Sequence, residues 1–165
     1  MQIPDLKPDI VFPKLEKLPS DIDFAFEAKR AAMGPHIVPR WGWDESFQRD
    51  LHVRRFSEKP FFEIRKGRSR VGTLSFQIVS DHVRFGEFYL FPEFQRLGIG
   101  SKVLCHCLSI SDELELPVRL EYLQWNPVGT LYQRYGFTEV ARSDIHRFLE
   151  RPVTGQQKKH RQNKR

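Results

Sequence analysis

Apolar side chains recur at helical spacing in two segments of the first sixty residues. Residues 21–33, DIDFAFEAKRAAM, predict a first helix with Asp21 as its N-cap. We expect this helix to end before Pro35, because a Gly-Pro pair commonly terminates helices. A second helix is predicted over residues 44–56, and a short strand over residues 10–15 precedes both.

The rest of the chain alternates between the strand period of two and the helical period. Three strand-like runs are separated by turns short enough for an antiparallel meander, at residues 61–65, 71–79 and 83–91. A helix, a strand, a second helix and two more strands follow, predicted at residues 101–113, 118–123, 126–136, 138–142 and 145–149. This order predicts an α/β protein with a mixed sheet.

Composition places the chain among ordinary globular proteins. Its 165 residues, 39% of them hydrophobic, are enough for one domain with its own core, which we place at residues 1–150. No apolar run approaches the ~20 residues that cross a bilayer, and the opening MQIPDLKPDI lacks the pattern of a signal peptide. We therefore expect a cytoplasmic protein with no membrane partner.

The positive charge of the chain is concentrated at its end. The net charge is +6, from 27 Lys and Arg against 21 Asp and Glu. Six of the basic residues and none of the acidic ones lie in residues 151–165, so the rest of the chain is balanced. We expect this basic tail to be disordered, because it has almost no apolar side chains. It is either a solubilising tail or a weak, salt-sensitive contact with RNA or the ribosome, and we expect no other nucleic-acid binding.

Metal and hydrolase chemistry find no support in the sequence. Cys105 and Cys107 are the only cysteines, and residues two apart on a helix do not face the same way. The six histidines are scattered singly, without a metal-binding or catalytic-triad pattern. We expect no metal.

A glycine-containing turn, QRLGIG at residues 95–100, stands between the third strand of the meander and the next helix. Backbone amides at the start of a helix bind anions, because they lack partners within the helix and the helix dipole is positive there. The turn is not a Walker loop, since Lys102 follows Ser101. It is not a dinucleotide fingerprint either, since the third glycine would fall at Val103.

Two motifs in this part of the chain resemble those of the GNAT superfamily of N-acetyltransferases. The first is FYLFPEFQRLGIG, residues 88–100, and the second is NPVGTLYQRYGF, residues 126–137. The resemblance covers residues 60–150, and residues 10–59 only through the order of their elements. It implies the GNAT fold: a central mixed, mostly antiparallel sheet, with the fourth and fifth strands splayed apart and about four helices flanking it.

The resemblance also implies acetyl-CoA as the co-substrate. Its pyrophosphate would bind the turn, and its pantetheine would pair with the strand before it, where the Leu90 amide would polarise the thioester carbonyl. The implied contacts with acetyl-CoA are Phe88, Leu90, Gln95, Arg96, Leu97, Gly98, Ile99, Gly100, Ser101 and Asn126. Helix capping is an equal explanation for Asn126.

Two residues match catalytic positions of the family. Glu87 lies where many members carry a general base, and we expect its aromatic neighbours to raise its pKa; it is otherwise an ion-pair partner or a solvated glutamate. Tyr132 lies where the family has the tyrosine that protonates the departing CoA thiolate, and it otherwise fills the core.

The acceptor amine is predicted to bind near WGWDE, residues 41–45. Trp41 or Trp43 would offer a cation–π surface and Asp44 would attract an ammonium group; the other interpretation is a loop held against the core. The predicted activity is acetyl transfer from acetyl-CoA to an amine of a small molecule or a protein, in a ternary complex. The alternative is a catalytically weak CoA-binding module that contacts RNA or the ribosome through its tail. The sequence leaves a homodimer open.

Overall fold

A computed structural model describes residues 1–154. Within them the chain forms seven strands and four helices. Each of the three longest helices begins or ends at or next to a segment predicted to belong to the site. The elements in chain order are β1 (Ile10–Val11), α1 (Pro19–Trp41), α2 (Glu45–Glu58), β2 (Phe62–Lys66), β3 (Ser69–Ile78), β4 (Val83–Leu90), α3 (Ile99–Glu113), β5 (Val118–Leu123), α4 (Gly129–Arg134), β6 (Thr138–Arg142) and β7 (His146–Arg151). None of these helices has both the length and the apolar character needed to cross a membrane.

The seven strands form one mixed sheet in the order β1-β2-β3-β4-β5-β7-β6. The β1–β2, β2–β3, β5–β7 and β6–β7 pairs are antiparallel, whereas β4 and β5 are parallel. The register of β4 and β5 covers only Val83 opposite Val118 and Arg84 opposite Arg119. The two strands are therefore splayed beyond this point, as the predicted fold requires.

The described residues group into two compact units. The first unit contains residues 1–77 and 86–100. Its core is rich in aromatic side chains, because β2 and the helices α1 and α2 each bury phenylalanines on one face. Phe26, Phe61 and Phe62 are at most 2% exposed, and the Phe56 and Phe61 rings stack with centroids 4.7 Å apart.

The second unit contains residues 78–85 and the described residues from Ser101 onward. Aliphatic side chains of α3 and β5 fill its core, including the fully buried Val103 and Leu104 and the buried Val118. At its end, Arg151 Nη1 and Nη2 donate to the two Asp112 carboxylate oxygens, each at 2.9 Å. The prediction of a single domain over residues 1–150 stays a prediction.

The first helix is longer than its sequence suggested. It begins with Pro19 after Leu18 and continues through Pro35 and Pro39 to Trp41, so the expected end before Pro35 was wrong. Met33 and Ile37 are both buried on the side of the helix that carries Phe26. Their packing offsets the cost of the helix-interior prolines, about 3 kcal/mol or more for each.

The predicted basic tail also starts too early. Arg151 is the last residue of β7 and is buried, because its guanidinium binds Asp112 and its Nε donates to the Tyr135 carbonyl. The Thr154 amide donates to the same Asp112 carboxylate at 3.3 Å. Residues 155–165, with the predicted disorder and the RNA or ribosome contact, lie outside the described residues.

Candidate active site

The turn of residues 95–100 contains two residues with left-handed backbones. These are Arg96 and Gly98, with φ of +61° and +79°, and α3 begins directly afterwards at Ile99. The Gln95 side chain donates to the Leu90 carbonyl at 2.9 Å, which fixes the turn against the end of β4. Leu97 is 65% exposed and leaves the turn open to solvent.

The end of β4 lies unusually close to β3. A Cβ on Gly72 would collide with the Tyr89 carbonyl oxygen and lie 2.9 Å from the Leu90 Cα atom. Only glycine permits this approach, because every other residue carries that atom. A Cβ on Gly100, in contrast, would make ordinary contacts with the half-buried side chains of Leu90 and Phe88, at 3.4 and 3.8 Å.

Glu87 interrupts the regular backbone of β4. Its φ is +46°, a left-handed conformation that is uncommon for a residue with a side chain, and its carbonyl accepts a hydrogen bond from the Thr73 hydroxyl at 3.0 Å. Such strained residues cluster at functional sites. Glu87 lies three residues beyond Arg84, the last β4 residue in the register with β5.

The Glu87 side chain is an ion-pair partner in a buried cluster. It is 3% exposed, and its carboxylate lies 2.7 Å from Lys59 Nζ and 3.8 Å from Arg55 Nη1. Tyr89 Oη donates to it at 3.2 Å. Burial alone raises the pKa of Glu87, but the Lys59, Arg55 and Lys29 charges together hold that pKa below its usual value. The expected rise in pKa was therefore wrong: the cations around the carboxylate outweigh its burial.

Lys29 of α1 belongs to the same cluster. It is 3% exposed, and within residues 1–154 its Nζ atom has no hydrogen-bond partner. Burial, together with the like charges of Arg55 and Lys59, lowers its pKa from 10.5 to about 8, although Glu87 opposes this shift. A buried ammonium without a partner is costly, so this side chain requires an explanation.

Tyr132 lies in the core of the second unit. It is 6% exposed, and its ring centroid lies 6.1 Å from that of Tyr122 and 5.6 Å from that of Phe137. Burial raises the pKa of Tyr132 well above its ordinary value, and Tyr122 adds to the rise. The phenol therefore stays protonated at neutral pH. A Cβ at position 129 would collide with the Tyr122 hydroxyl, which explains the glycine at this position.

The remaining predicted contacts, Ser101 and Asn126, also belong to the second unit. Ser101 is the third residue of α3 and is half-buried. The Asn126 Oδ1 atom accepts from the Val128 amide at 3.1 Å, directly before α4 begins at Gly129. The N-cap of α4 is Val128, without a side-chain cap, so this contact is a local turn before the helix. Its predicted contact with acetyl-CoA stays a prediction.

The family assignment follows from this geometry together with the family comparison. A family model described as an acetyltransferase (GNAT) domain matches residues 57–139, which contain β4, the turn at 95–100 and Tyr132. The chain belongs to the GNAT family. Its general chemistry is accordingly acyl transfer. No curated protein sequence matches the chain.

Solved structures of other proteins share the fold. PH1933 from Pyrococcus horikoshii OT3 is 22% identical, with a TM-score of 0.69 over 87% of this chain and 98% of its own. The PaiA N-acetyltransferase from Thermoplasma acidophilum, in complex with coenzyme A, is 16% identical, with a TM-score of 0.65 over 88% and 99%. The ribosomal-protein-S18-alanine N-acetyltransferase from Escherichia coli is 17% identical, with a TM-score of 0.64 over 87% and 94%.

In this GNAT protein the predicted acceptor segment has structural partners of its own. Asp44 is the N-cap of α2 and accepts from the Phe47 amide at 2.9 Å. Trp43 donates from Nε1 to Glu45 at 2.9 Å, and the Arg30 guanidinium lies 5.6 Å from the centre of its ring. Trp41 is 53% exposed. These contacts favour the interpretation of a loop held in place, and acceptor binding by Trp41, Trp43 or Asp44 stays a prediction.

The sequence analysis missed the cations around Glu87. The signal was present in α1, because Lys29 is spaced three and four residues from the buried Phe26 and Met33 and so falls on the apolar face. It was also present in α2, where the buried His52 leads at helical spacing to Phe56 and then Lys59. No cluster of metal-binding side chains occurs in the described part of the chain.

Proposed function

We propose that this GNAT protein transfers the acetyl group of acetyl-CoA to an amine, with both substrates bound together. The observation that carries the proposal is the turn at residues 95–100, with its left-handed Arg96 and Gly98 directly before α3. Family membership supports acyl transfer in general, and the turn supports a CoA ester as the donor. PaiA, which shares the fold, was solved in complex with coenzyme A.

The turn is suited to the pyrophosphate of CoA. Its successive amides offer several donors to anionic oxygens, and the start of α3 contributes the positive end of the helix dipole. The Arg96 side chain adds a charge, and Ser101 lies one residue beyond the turn. Gly98 lets the backbone approach the ligand without a side chain in between.

The end of β4 would hold the reacting ester. In the proposed mechanism the backbone of Phe88 and Leu90 pairs with the pantetheine amides, and the Leu90 N–H polarises the thioester carbonyl. The neutral amine attacks the carbonyl carbon, so a C–N bond forms and negative charge develops on the carbonyl oxygen. When the C–S bond breaks, its electron pair leaves on the CoA sulfur.

Tyr132 is the proposed donor of a proton to that sulfur. This role is supported by its match to the family motif, and its hydroxyl is protonated at neutral pH, as a proton donor must be. The amine loses one proton during the reaction, and this proton passes to water. The Tyr132 phenolate then takes up a proton from water, so the net result is an acetamide, free CoA and an unchanged enzyme.

Glu87 has a different part in the proposal from the one the sequence suggested. A carboxylate held at a low pKa by Lys59 is a weak base, so it draws a proton from an ammonium group poorly. Its negative charge instead orients Lys59, Arg55 and Tyr89 around the end of β4. We assign Glu87 to positioning, with water as the proton acceptor.

Thiol release from acetyl-CoA across a panel of small amines and peptide N-termini tests the activity. Release above the hydrolysis rate is expected with at least one amine, and its absence with every amine would favour the alternative of a CoA-binding module.

The Gly98→Val variant tests the turn, with Gly67→Val as the matched control. Both glycines are exposed and have positive φ, but Gly67 lies in the β2–β3 turn. Calorimetry should show acetyl-CoA affinity about 10-fold weaker for Gly98→Val only. Equal affinities of the two folded variants would refute the assignment.

A further inference from the structure

The inner sides of α1 and α2 carry more buried polar atoms than their own contacts satisfy. Within residues 1–154, Lys29 Nζ, Arg30 Nε, Gln48 Oε1 and His52 Nδ1 on these helices are buried without a hydrogen-bond partner. Buried polar groups in folded proteins are nearly always paired, so four such atoms on two adjoining helices point to a missing partner. The four residues belong to the first unit, which also contains Glu87.

The charges in this region do not balance. Lys29, Arg55 and Lys59 interact electrostatically with a single carboxylate, that of Glu87. His52 adds no charge at neutral pH, because burial lowers its pKa, and its Nε2 atom lies 3.1 Å from the Ile22 carbonyl. The cluster therefore has three cations against one anion, and at least Lys29 is withdrawn from water.

The two cations with the weakest pairing are Lys29 and Arg55. Lys59 forms the short contact with Glu87, at 2.7 Å, while Arg55 is 3.8 Å away with its side chain 30% exposed. Lys29 forms no hydrogen bond at all within the described residues. A guanidinium with only a distant carboxylate partner and an ammonium with no hydrogen-bond partner are suited to binding a carboxylate or phosphate group, which accepts from both.

The position of the cluster along β4 connects it with the acceptor. Glu87 lies three residues before Leu90, about 10 Å along an extended strand. The turn at residues 95–100 is already assigned to the CoA pyrophosphate. An anion at Lys29 would consequently come from the other substrate.

We propose that the acceptor amine carries an anionic oxygen group, a carboxylate or a phosphate, that binds Lys29 and Arg55 next to the Glu87–Lys59 pair. This proposal rests on the acetyl transfer proposed above and specifies its substrate class. It favours amino acids or aminoalkyl phosphates over polyamines and other purely cationic acceptors, which the positive charges of Lys29 and Arg55 would repel.

The test compares acceptors that differ only in charge. One pair is an amino acid and its uncharged amide, and the other is an aminoalkyl phosphate and the corresponding amino alcohol. We expect the anionic member of at least one pair to have a kcat/KM at least ~10-fold higher. The pair that shows the preference identifies the carboxylate or the phosphate as the natural group. No preference in either pair overturns the proposal.

Variants connect this preference with the cluster. Lys29→Met and Arg55→Met should each abolish most of the preference by raising KM for the anionic acceptor, with acetyl-CoA affinity unchanged. Arg54→Met is the matched control, because Arg54 is the exposed neighbour of Arg55 in α2. If Lys29→Met and Arg54→Met retain the same preference as the parent, the proposal is wrong.

Direct binding separates this proposal from the one on which it rests. The N-acetylated amino acid, the N-acetylated aminoalkyl phosphate and their uncharged counterparts are titrated calorimetrically into the parent and the Lys29→Met variant. Binding of an anionic probe that requires Lys29 supports the anion site even if no amine is acetylated, in which case only the catalytic proposal fails. Turnover of amines without Lys29-dependent anion binding would contradict the proposed substrate class and would not contradict acetyl transfer.

Discussion

At the scale of single residues, the Tyr132 side chain has a buried ring and a hydroxyl group that is the candidate proton donor. Tyr132→Phe removes only the hydroxyl, so we expect the melting temperature and acetyl-CoA affinity to be retained. If the chemical step limits turnover, kcat should fall by about 10²- to 10⁴-fold, the range for general acids and bases. Tyr135→Phe, in the same motif, is the control and should keep the parental kcat. An unchanged kcat for Tyr132→Phe would mean that water or another group protonates the thiolate.

The lowered pKa of Lys29 predicts how the stability of the protein changes with pH, including the sign of the change. Its pKa is about 8 in the folded chain and 10.5 as the ordinary value, so between these pH values the unfolded chain binds more protons. The stability of the parent should therefore rise across this window relative to Lys29→Met. Below pH 8 the buried charge costs its full amount, at most about 3 kcal/mol at 1.36 kcal/mol per pH unit.

Urea denaturation of the parent and Lys29→Met between pH 6.5 and 10.5 measures this difference. The variant should be the more stable protein at neutral pH, and its advantage should shrink towards pH 10.5. Lys17→Met, at an exposed lysine, is expected to show no such trend. A stability difference that does not vary with pH would mean that Lys29 titrates alike in the folded and unfolded chains.

The role of a residue was predictable where a motif specified it. The environment of a side chain was unpredictable where several elements contribute to it. The match of Tyr132 to the family motif came from a local pattern of seven residues. The low pKa of Glu87 required Lys29 from α1, Arg55 from α2 and Lys59 after it, all brought to β4 by tertiary packing. No local pattern contains that information.

At the scale of elements, the close approach of β3 and β4 depends on Gly72. In Gly72→Ala the new methyl group would collide with the Tyr89 carbonyl. Neither β3 nor β4 can shift to relieve this collision without breaking the pairing between the two strands. We expect a loss of stability of about 1–3 kcal/mol and weaker acetyl-CoA binding, since the end of β4 is displaced.

Gly86→Ala is the matched control for this variant. Gly86 lies on β4 with nothing within 4 Å of the new methyl group and no positive φ, so its stability should change by about 0.5 kcal/mol or less. Chemical denaturation gives the stabilities, and calorimetry gives the affinities. Should Gly72→Ala behave like Gly86→Ala, the strands have enough freedom to separate.

The elements themselves were largely predictable. The bounds of β5 and β6 agree with the alternating pattern of residues 118–123 and 138–142. The first helix was the main error, since the rule that proline ends a helix takes no account of Met33 and Ile37 packing beyond it. Local rules fail where burial outweighs a local cost of a few kcal/mol.

At the scale of the whole molecule, the question is where the folded chain ends. Truncation after Thr154 removes residues 155–165, which contain no large apolar side chain, so we expect the melting temperature and activity on a small amine to be retained. Truncation after Glu150 also removes Arg151 and leaves the Asp112 carboxylate without its guanidinium.

The shorter chain should lose about 1–3 kcal/mol, corresponding to roughly 2–4 °C for each kcal/mol. Calorimetric melting of the two truncated chains side by side measures this difference. Equal melting temperatures would place the end of the folded domain at residue 150, as the sequence alone suggested.

The fold class was predictable because two motifs occur in the correct order around one helix and one strand. The splay of β4 from β5 was implied by the family, and its physical basis is now apparent in the short register of that pair and the left-handed Glu87 that follows it. Neither a two-residue register nor a positive φ leaves a periodic trace in the sequence.

The prolines inside α1 have a consequence for the timescale of its motion. Pro35 and Pro39 have no amide hydrogen, so the carbonyls of Ala31 and Pro35 lack their usual partners four residues later. The turns up to Trp41 are consequently held by fewer hydrogen bonds than the turns around Phe26. Hydrogen–deuterium exchange should be faster for the amides of residues 36–41 than for those of residues 25–33. One continuous helix is thus expected to have a less protected C-terminal part, and this part leads into the predicted acceptor segment.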